Sequence, residues 1–140
     1  MAWTDLVREQ LQRMEGTKQF PYLDTVGKTT IGCGRNLTDK GLSIAEIDLL
    51  LTHDIADAEE DVRHLLSDAV FDALTNPRKA VLVNMAFNLG YKRLAKFSHM
   101  LLAVKRGDYR EAAVQMRKSI WATQVKGRAE ELACLMEQGR

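Results

Sequence analysis

Apolar residues fall at helical spacing on either side of a short stretch with a different texture. Leu6, Val7, Leu11 and Met14 recur at three- and four-residue intervals, which predicts a helix over 4–14 with Thr4 as its N-cap. Gly16 follows Glu15 and offers the left-handed residue at which such a helix stops. Phe20-Pro21-Tyr22-Leu23-Asp24, Thr25-Val26-Gly27 and Lys28-Thr29-Thr30-Ile31-Gly32 then place β-branched and aromatic residues around a glycine turn, the pattern of a small hairpin. A further short strand or irregular loop is expected between Gly34 and Gly41. Ser43-Ile44-Ala45-Glu46 is a capping box and opens a long helix, along which Ile47, Leu51, Ile55, Ala58, Val62 and Leu65 make an apolar stripe.

Beyond a break near Ser67 and a short helical piece, Asn76-Pro77 reads as N-cap and first residue of the next helix. Ala80 to Leu89 is apolar nearly all round, which predicts a buried central helix ending at Gly90. Two helices, Ser98 to Arg106 and Asp108 to Lys118, flank Gly107, and a last one begins near Gly127. The expected fold class is α+β in one domain: a β-lobe over about 16–42, a linking helix over about 43–66, and a helical lobe over 67–140 that includes helix 4–14. A cleft is expected between the lobes.

The bulk numbers change this picture little. A chain of 140 residues, 46% hydrophobic and 28% charged, has the length and composition of one folded domain and not of a disordered chain. No run approaches the ~18 apolar residues of a membrane span, and the N-terminus lacks a basic segment followed by an apolar one. The expectation is a protein that folds in the cytoplasm of the cell that makes it, without membrane insertion, as a monomer. Cys33 and Cys134 have no metal-ligand spacing and are expected to be buried, reduced thiols. His53, His64 and His99 match no catalytic spacing and read as surface residues.

Charge is more informative. Residues 1–77 carry 7 Lys/Arg against 14 Asp/Glu, whereas residues 78–140 carry 13 against 5. Such separation suits a polyanionic partner for one face, either nucleic acid or an anionic cell-wall polymer, although two solvated helix surfaces would produce it too. The basic half lacks interleaved aromatics and any reading-helix pattern, so nucleic acid is not the expected partner.

Two carboxylates stand out by location. Glu15 closes the first predicted helix, and Asp24 stands at the hairpin turn. Facing carboxylates are what glycosidic hydrolysis requires, one protonated to donate to the leaving oxygen and one ionised. Spacing alone does not decide this, because a helix-terminal Glu and a turn Asp are more often solvated or capping groups.

The surrounding residues decide more. Met14-Glu15-Gly16, Tyr22-Leu23-Asp24-Thr25, Gly27 and Thr30-Ile31-Gly32-Cys33-Gly34 together resemble the catalytic stretch of the phage-type lysozymes, with Glu15, Asp24 and Thr30 in register. Downstream, Ser43 to Asp54, Asn84-Met85-Ala86-Phe87-Asn88-Leu89-Gly90, and Glu111-Ala112-Ala113-Val114 through Lys118-Ser119-Ile120-Trp121, Gln124 and Arg128-Ala129 continue the likeness over nearly the full chain.

The resemblance implies a lysozyme-like fold and a muramidase that cuts the β-1,4 bond between N-acetylmuramic acid and N-acetylglucosamine in peptidoglycan glycan strands. It implies no cofactor and no metal. Glu15 would be the general acid, while Asp24 and Thr30 would hold the attacking water, giving inversion. Phe87, Asn88, Gln115 and Trp121 match substrate-side positions, and Arg128 matches an arginine that pairs with the catalytic Glu. A phage or prophage enzyme of this kind lyses its host after a separate protein has permeabilised the membrane. The alternatives are a catalytically silent wall-binding module of the same fold and a lytic transglycosylase. The chain departs from the family at Arg35, where a histidine is expected, and at Asn36, where a leucine is expected. Arg35 has Asp54 on the long helix as an expected partner.

Overall fold

The computed structural model describes residues 1–140 and has the expected α+β class, with nine helices and one small antiparallel sheet. In chain order the elements are α1 (Trp3–Glu15), β1 (Lys18–Leu23), β2 (Thr29–Gly32), β3 (Arg35–Asn36), α2 (Ile44–Leu66), α3 (Asp68–Asp72), α4 (Asn76–Leu89), α5 (Tyr91–Ala95), α6 (Ser98–Lys105), α7 (Tyr109–Lys118), α8 (Ile120–Val125) and α9 (Gly127–Gln138). The chain divides into two compact units, residues 1–49 and residues 50–140, and the division falls inside α2. Helix α1 belongs to the first unit, with the strands.

In the first unit the sheet order is β1-β2-β3, both pairs antiparallel. Thr30 on the central strand pairs with Tyr22 on one side and Asn36 on the other, so the loop expected after Gly34 does contain a strand. Helix α1 begins earlier than the sequence suggested. Ala2 is its N-cap and makes no side-chain cap, so Thr4 lies inside the first turn. Its end is as expected: Gly16 takes φ +74°, and its N–H closes on the Gln12 carbonyl. The capping box that opens α2 is complete. Glu46 N–H donates to Ser43 Oγ at 3.1 Å, and Ser43 N–H donates to Glu46 Oε1 at 2.8 Å.

The second unit holds the apolar core. Val62 of α2, Val81, Leu82 and Met85 of α4, Met100 and Val104 of α6, Met116 of α7 and Met136 of α9 are essentially inaccessible. Helix α9 packs on α7 and α4, and α6 packs on α7. Each side chain of this kind contributes ~1.5–3 kcal/mol by leaving water. Arg78 ties the end of α9 to the start of α4. Its Nε donates to the Met136 carbonyl at 2.7 Å, its Nη2 donates to the Glu137 carbonyl at 2.9 Å, and its guanidinium stacks on Tyr109 at 3.7 Å.

Several local expectations are corrected. Thr75, not Asn76, caps α4, because its hydroxyl accepts from Arg78 N–H while its backbone is extended. Asn76 and Pro77 then occupy the first helical positions, where proline's missing N–H would be unpaired in any case. Only one side of α4 is fully buried, with Asn84, Phe87 and Asn88 exposed. Helices α5 and α8 have five and six residues, too few for periodicity to reveal. Ile47, Leu51 and Ile55 are about half exposed, so of the expected α2 stripe only Ala58 and Val62 are buried, and Leu66 takes the buried place expected of the half-buried Leu65. Neither cysteine is buried: Cys33 is exposed and Cys134 half-buried, since the first sits on a turn and the second faces Arg117 and Glu130. The three histidines are exposed, as expected. No helix is long and apolar enough to cross a membrane.

Candidate active site

The first unit builds its polar centre around the backbone of Lys28. Asp24 sits where β1 ends, and its Oδ1 accepts two backbone N–H groups, from Val26 at 2.9 Å and from Lys28 at 2.8 Å. The Asp24 N–H donates to the Lys28 carbonyl at 2.9 Å, and Gly27 N–H donates to the Asp24 carbonyl at 3.1 Å, which closes the turn. An aspartate at this position folds the turn through its own side chain, and Gly27 supplies the φ of +82°. Thr30 Oγ1 donates to the same Lys28 carbonyl at 3.0 Å. Thr30 is 4% exposed and is the one buried polar side chain in the protein.

This wiring fixes the hydrogen-bonding character of both groups. The Thr30 hydroxyl has spent its proton on Lys28, so its remaining capacity is to accept. Asp24 Oδ1 is engaged by the turn, which leaves Oδ2 as its acceptor. Asp24 is half-buried, so Oδ2 is not enclosed. Asp24 and Thr30 thus share one backbone hub, and each keeps a free acceptor.

Glu15 reaches the same unit from the end of α1 and is exposed. Gly34, with φ +77°, lies against its carboxyl: a Cβ at Gly34 would stand 3.2 Å from both Glu15 Cδ and Oε2. Only a residue without a side chain fits there comfortably, and the positive φ adds a second demand for glycine. The turn Gly32-Cys33-Gly34 thus forms one wall of the carboxyl's surroundings, and Cys33 Sγ touches Thr17 Oγ1 at 3.4 Å.

Arg35 departs from the partner expected for it. Its Nη1 donates to Glu46 Oε1 at 2.8 Å and to the Gly41 carbonyl at 3.2 Å, and its Nη2 pairs with Glu46 Oε2. The guanidinium is thereby committed to Glu46 and not to Asp54. The Arg35 hydrogen bond first, and those from Ser43 after it, hold the Glu46 carboxyl down at about 2, and Glu46 raises Arg35 in return. Asn36 is likewise occupied: it receives Asp39 N–H on Oδ1 at 2.9 Å and donates Nδ2 to Asp39 Oδ2 at 3.0 Å.

The other candidate residues belong to the second unit. Trp121 is 3% exposed, donates Nε1 to Asn88 Oδ1 at 2.7 Å, and meets Phe97 edge-on. Its indole therefore fixes the orientation of Asn88. Phe87, at 49% exposure, presents its ring to solvent. Gln115 donates Nε2 to Glu111 Oε1 at 2.7 Å. Arg128 is exposed at the start of α9 and grips Asn84 Oδ1 through Nε at 3.1 Å and Nη2 at 2.6 Å. Gln115 and Trp121 line a cavity of about 420 Å³ together with Phe97, and Arg93, Lys96 and Lys118 stand around it. No group of three or more His, Cys, Asp or Glu side chains is placed to hold a metal ion.

Residues 12–138 match the phage lysozyme family. The chain belongs to that family. Among its relatives is the pre-baseplate central spike protein Gp5 of Enterobacteria phage T4, 31% identical over 94% of this chain. The chain spans only 27% of the length of that spike protein. Two proteins of Dictyostelium discoideum named as probable T4-type lysozymes, 26% and 24% identical, are matched over 95% of this chain and 94% of their own length.

The sequence singles out Glu15, Asp24 and Thr30 as candidates, and the structure places all three in the first unit. The sequence does not single out Lys28, whose backbone joins Asp24 to Thr30, because any residue supplies an amide and a carbonyl. It also marks Glu46 only as a cap. The signal for its second role was Arg35 eleven residues earlier, for which the sequence offered Asp54 as well as Glu46 on the same helix.

Proposed function

We propose that this member of the phage lysozyme family is a muramidase that hydrolyses the β-1,4 bond between N-acetylmuramic acid and N-acetylglucosamine in bacterial peptidoglycan. The observation that carries the reading is the shared Lys28 hub, which leaves Asp24 Oδ2 and Thr30 Oγ1 as two acceptors for one water. Glu15 is the general acid. It protonates the glycosidic oxygen as the bond to the anomeric carbon breaks. Asp24 accepts a proton from the water as that water attacks the opposite face, and Thr30 holds its second O–H in line. One displacement with one water inverts the anomeric configuration. The bond formed is from carbon to water oxygen, and the bond broken is from carbon to leaving oxygen. Asp24 then releases its proton to solvent, and Glu15 regains one from solvent.

The same reading assigns the cations around the second unit's cavity, Arg93, Lys96 and Lys118, to the anionic groups of the wall, and the exposed Phe87 and Asn88 and the cavity residue Gln115 to its sugar or peptide substituents, with the buried Trp121 holding Asn88 in place. The biological role that fits is lysis of a host cell by a phage or prophage, with release through a separate membrane-permeabilising protein. The T4-type lysozyme names of the full-length relatives support the activity. The spike-protein relative shows that a domain of this family also occurs as part of a larger virion protein.

End-group analysis of digested peptidoglycan separates this reading from its rivals. Muramidase action leaves reducing N-acetylmuramic acid ends. A lytic transglycosylase leaves 1,6-anhydro ends, lighter by one water, and a silent wall-binding module leaves the strands intact.

A further inference from the structure

We infer that Arg35, gripped by Glu46, is a positioning residue for Glu15, acting through the backbone of Gly34. The inference rests on the reading of Glu15 as the acid. The turn that walls the Glu15 carboxyl is Gly32-Cys33-Gly34, and both of its glycines take positive φ, +69° and +77°. Glycine at position 34 leaves room for the Glu15 carboxyl, which a Cβ there would crowd at 3.2 Å, and it also gives that backbone the widest conformational freedom of any residue. Something next to the turn must therefore hold it. On its near side Cys33 offers only a 3.4 Å contact to Thr17. Arg35 is the first anchored side chain after Gly34, and it is anchored by three contacts, two to the Glu46 carboxylate and one to the Gly41 carbonyl.

Those contacts lead to rigid structure. Glu46 is itself fixed by the capping box with Ser43 at the first turn of α2, so the guanidinium ties β3 to a helix start. Arg35 also pairs with Ile31 across the β2–β3 ladder, one residue from Thr30. The side chain of Arg35 thus holds the wall beside Glu15, while its backbone continues the ladder next to Thr30. A planar two-pronged guanidinium does this better than an ammonium, which has no matching fork. With the grip released, Gly34 is free to withdraw from beside the Glu15 carboxyl, which then samples more rotamers.

The test compares wild type with Arg35→Ala, Arg35→Lys, Glu46→Gln and the double variant Arg35→Ala/Glu46→Gln. Glutamine still serves a capping box, so Glu46→Gln weakens the grip on Arg35 and keeps the helix cap. On soluble glycan oligomers, Arg35→Ala should lower kcat about tenfold with KM within about twofold, a loss of orientation and not of binding. Glu46→Gln should lose less, Arg35→Lys should recover part of the loss, and the double variant should be no worse than Arg35→Ala alone. In parallel, carbon-13 side-chain relaxation of Glu15 should show a less ordered carboxyl in Arg35→Ala and Glu46→Gln than in wild type. A role confined to stability would lower the melting temperature and leave that order unchanged. Unchanged kcat in Arg35→Ala, or unchanged order at Glu15, overturns the inference. Should Arg35→Ala not fold, Arg35→Lys and Glu46→Gln decide it by the same two readouts. Should wild type cleave no glycan, the proposed function fails, and the order of the Glu15 side chain alone still decides the positioning.

Discussion

The two units of the chain are built on opposite principles. Every buried apolar side chain lies between Ala58 and Met136, within residues 50–140, while residues 1–49 bury no apolar side chain and one polar one, Thr30. The second unit is held by packing. The first is held by directional bonds: the Asp24 turn, the Ser43–Glu46 cap and the Arg35–Glu46 pair. The three residues assigned to chemistry all sit in the unit held by directional bonds. Hydrogen bonds and turns fix a carboxylate's direction and its free lone pairs, which packing alone does not, whereas packing supplies the larger share of stability. Function and stability should therefore separate by mutation.

The sharpest separation is at Glu15. Glu15→Gln should reduce turnover by roughly 10²–10⁴ while leaving the melting temperature unchanged or raised, because the exposed carboxyl makes no hydrogen bond that the fold needs. Parallel kinetics and thermal unfolding check both halves. Near-normal turnover would remove Glu15 from the chemistry.

Leu82→Ala should show the reverse. Leu82 is fully inaccessible in α4, and its truncation should cost ~2–5 kcal/mol of stability, with kcat of the folded fraction within about twofold. Denaturant unfolding measures the first and active-site-normalised kinetics the second. A large loss of kcat with little loss of stability would join what the comparison separates.

These contrasts also explain how much the sequence disclosed. Apolar spacing located α1, α2 and α4, because long helices repeat their apolar positions often enough to be seen, and Gly107 and Gly127 marked the bounds of α6, α7 and α9. It overlooked α5 and α8 for want of turns. A stripe also does not say how deeply each position is buried, which is why Ile47, Leu51 and Ile55 fit the pattern yet stand half exposed. The cysteines misled for a related reason: their composition favours burial, but Cys33 sits on a glycine turn that presents it outward. In the site, Glu15, Asp24 and Thr30 were legible through their glycine-punctuated motif. The Lys28 hub was not legible, being backbone, and the choice of Glu46 over Asp54 by Arg35 depended on three-dimensional proximity.

A smaller effect concerns the basic cavity of the second unit. Neutralising Arg93, Lys96 and Lys118 together should raise the KM on intact walls severalfold and blunt its salt dependence, since attraction over a Debye length of ~10 Å is screened at ~0.1 M salt. Turnover on short neutral oligosaccharides should be spared. Equal losses on both substrates would show that these cations support the fold instead.

The smallest effect is a titration. Glu46 is lowered to about 2, chiefly by Arg35, and Glu130 is lowered, chiefly by Arg117. A carboxyl depressed on folding adds stability that is present above its unfolded value, ~4.3, and is lost as the pH falls toward its folded value. Melting temperature should therefore drop as the pH goes from about 5 to about 2, and Glu46→Gln should flatten part of that slope. Parallel slopes would mean that the exposed pair contributes nothing measurable to stability.

The most direct test of the account is digestion of purified peptidoglycan in oxygen-18 water by wild type and Glu15→Gln, with mass spectrometry of the fragments. Wild type should place one labelled oxygen at the reducing carbon of N-acetylmuramic acid, and the variant should make no new ends. Anhydro ends without label, label at N-acetylglucosamine ends, or labelled ends made equally well by Glu15→Gln would contradict it.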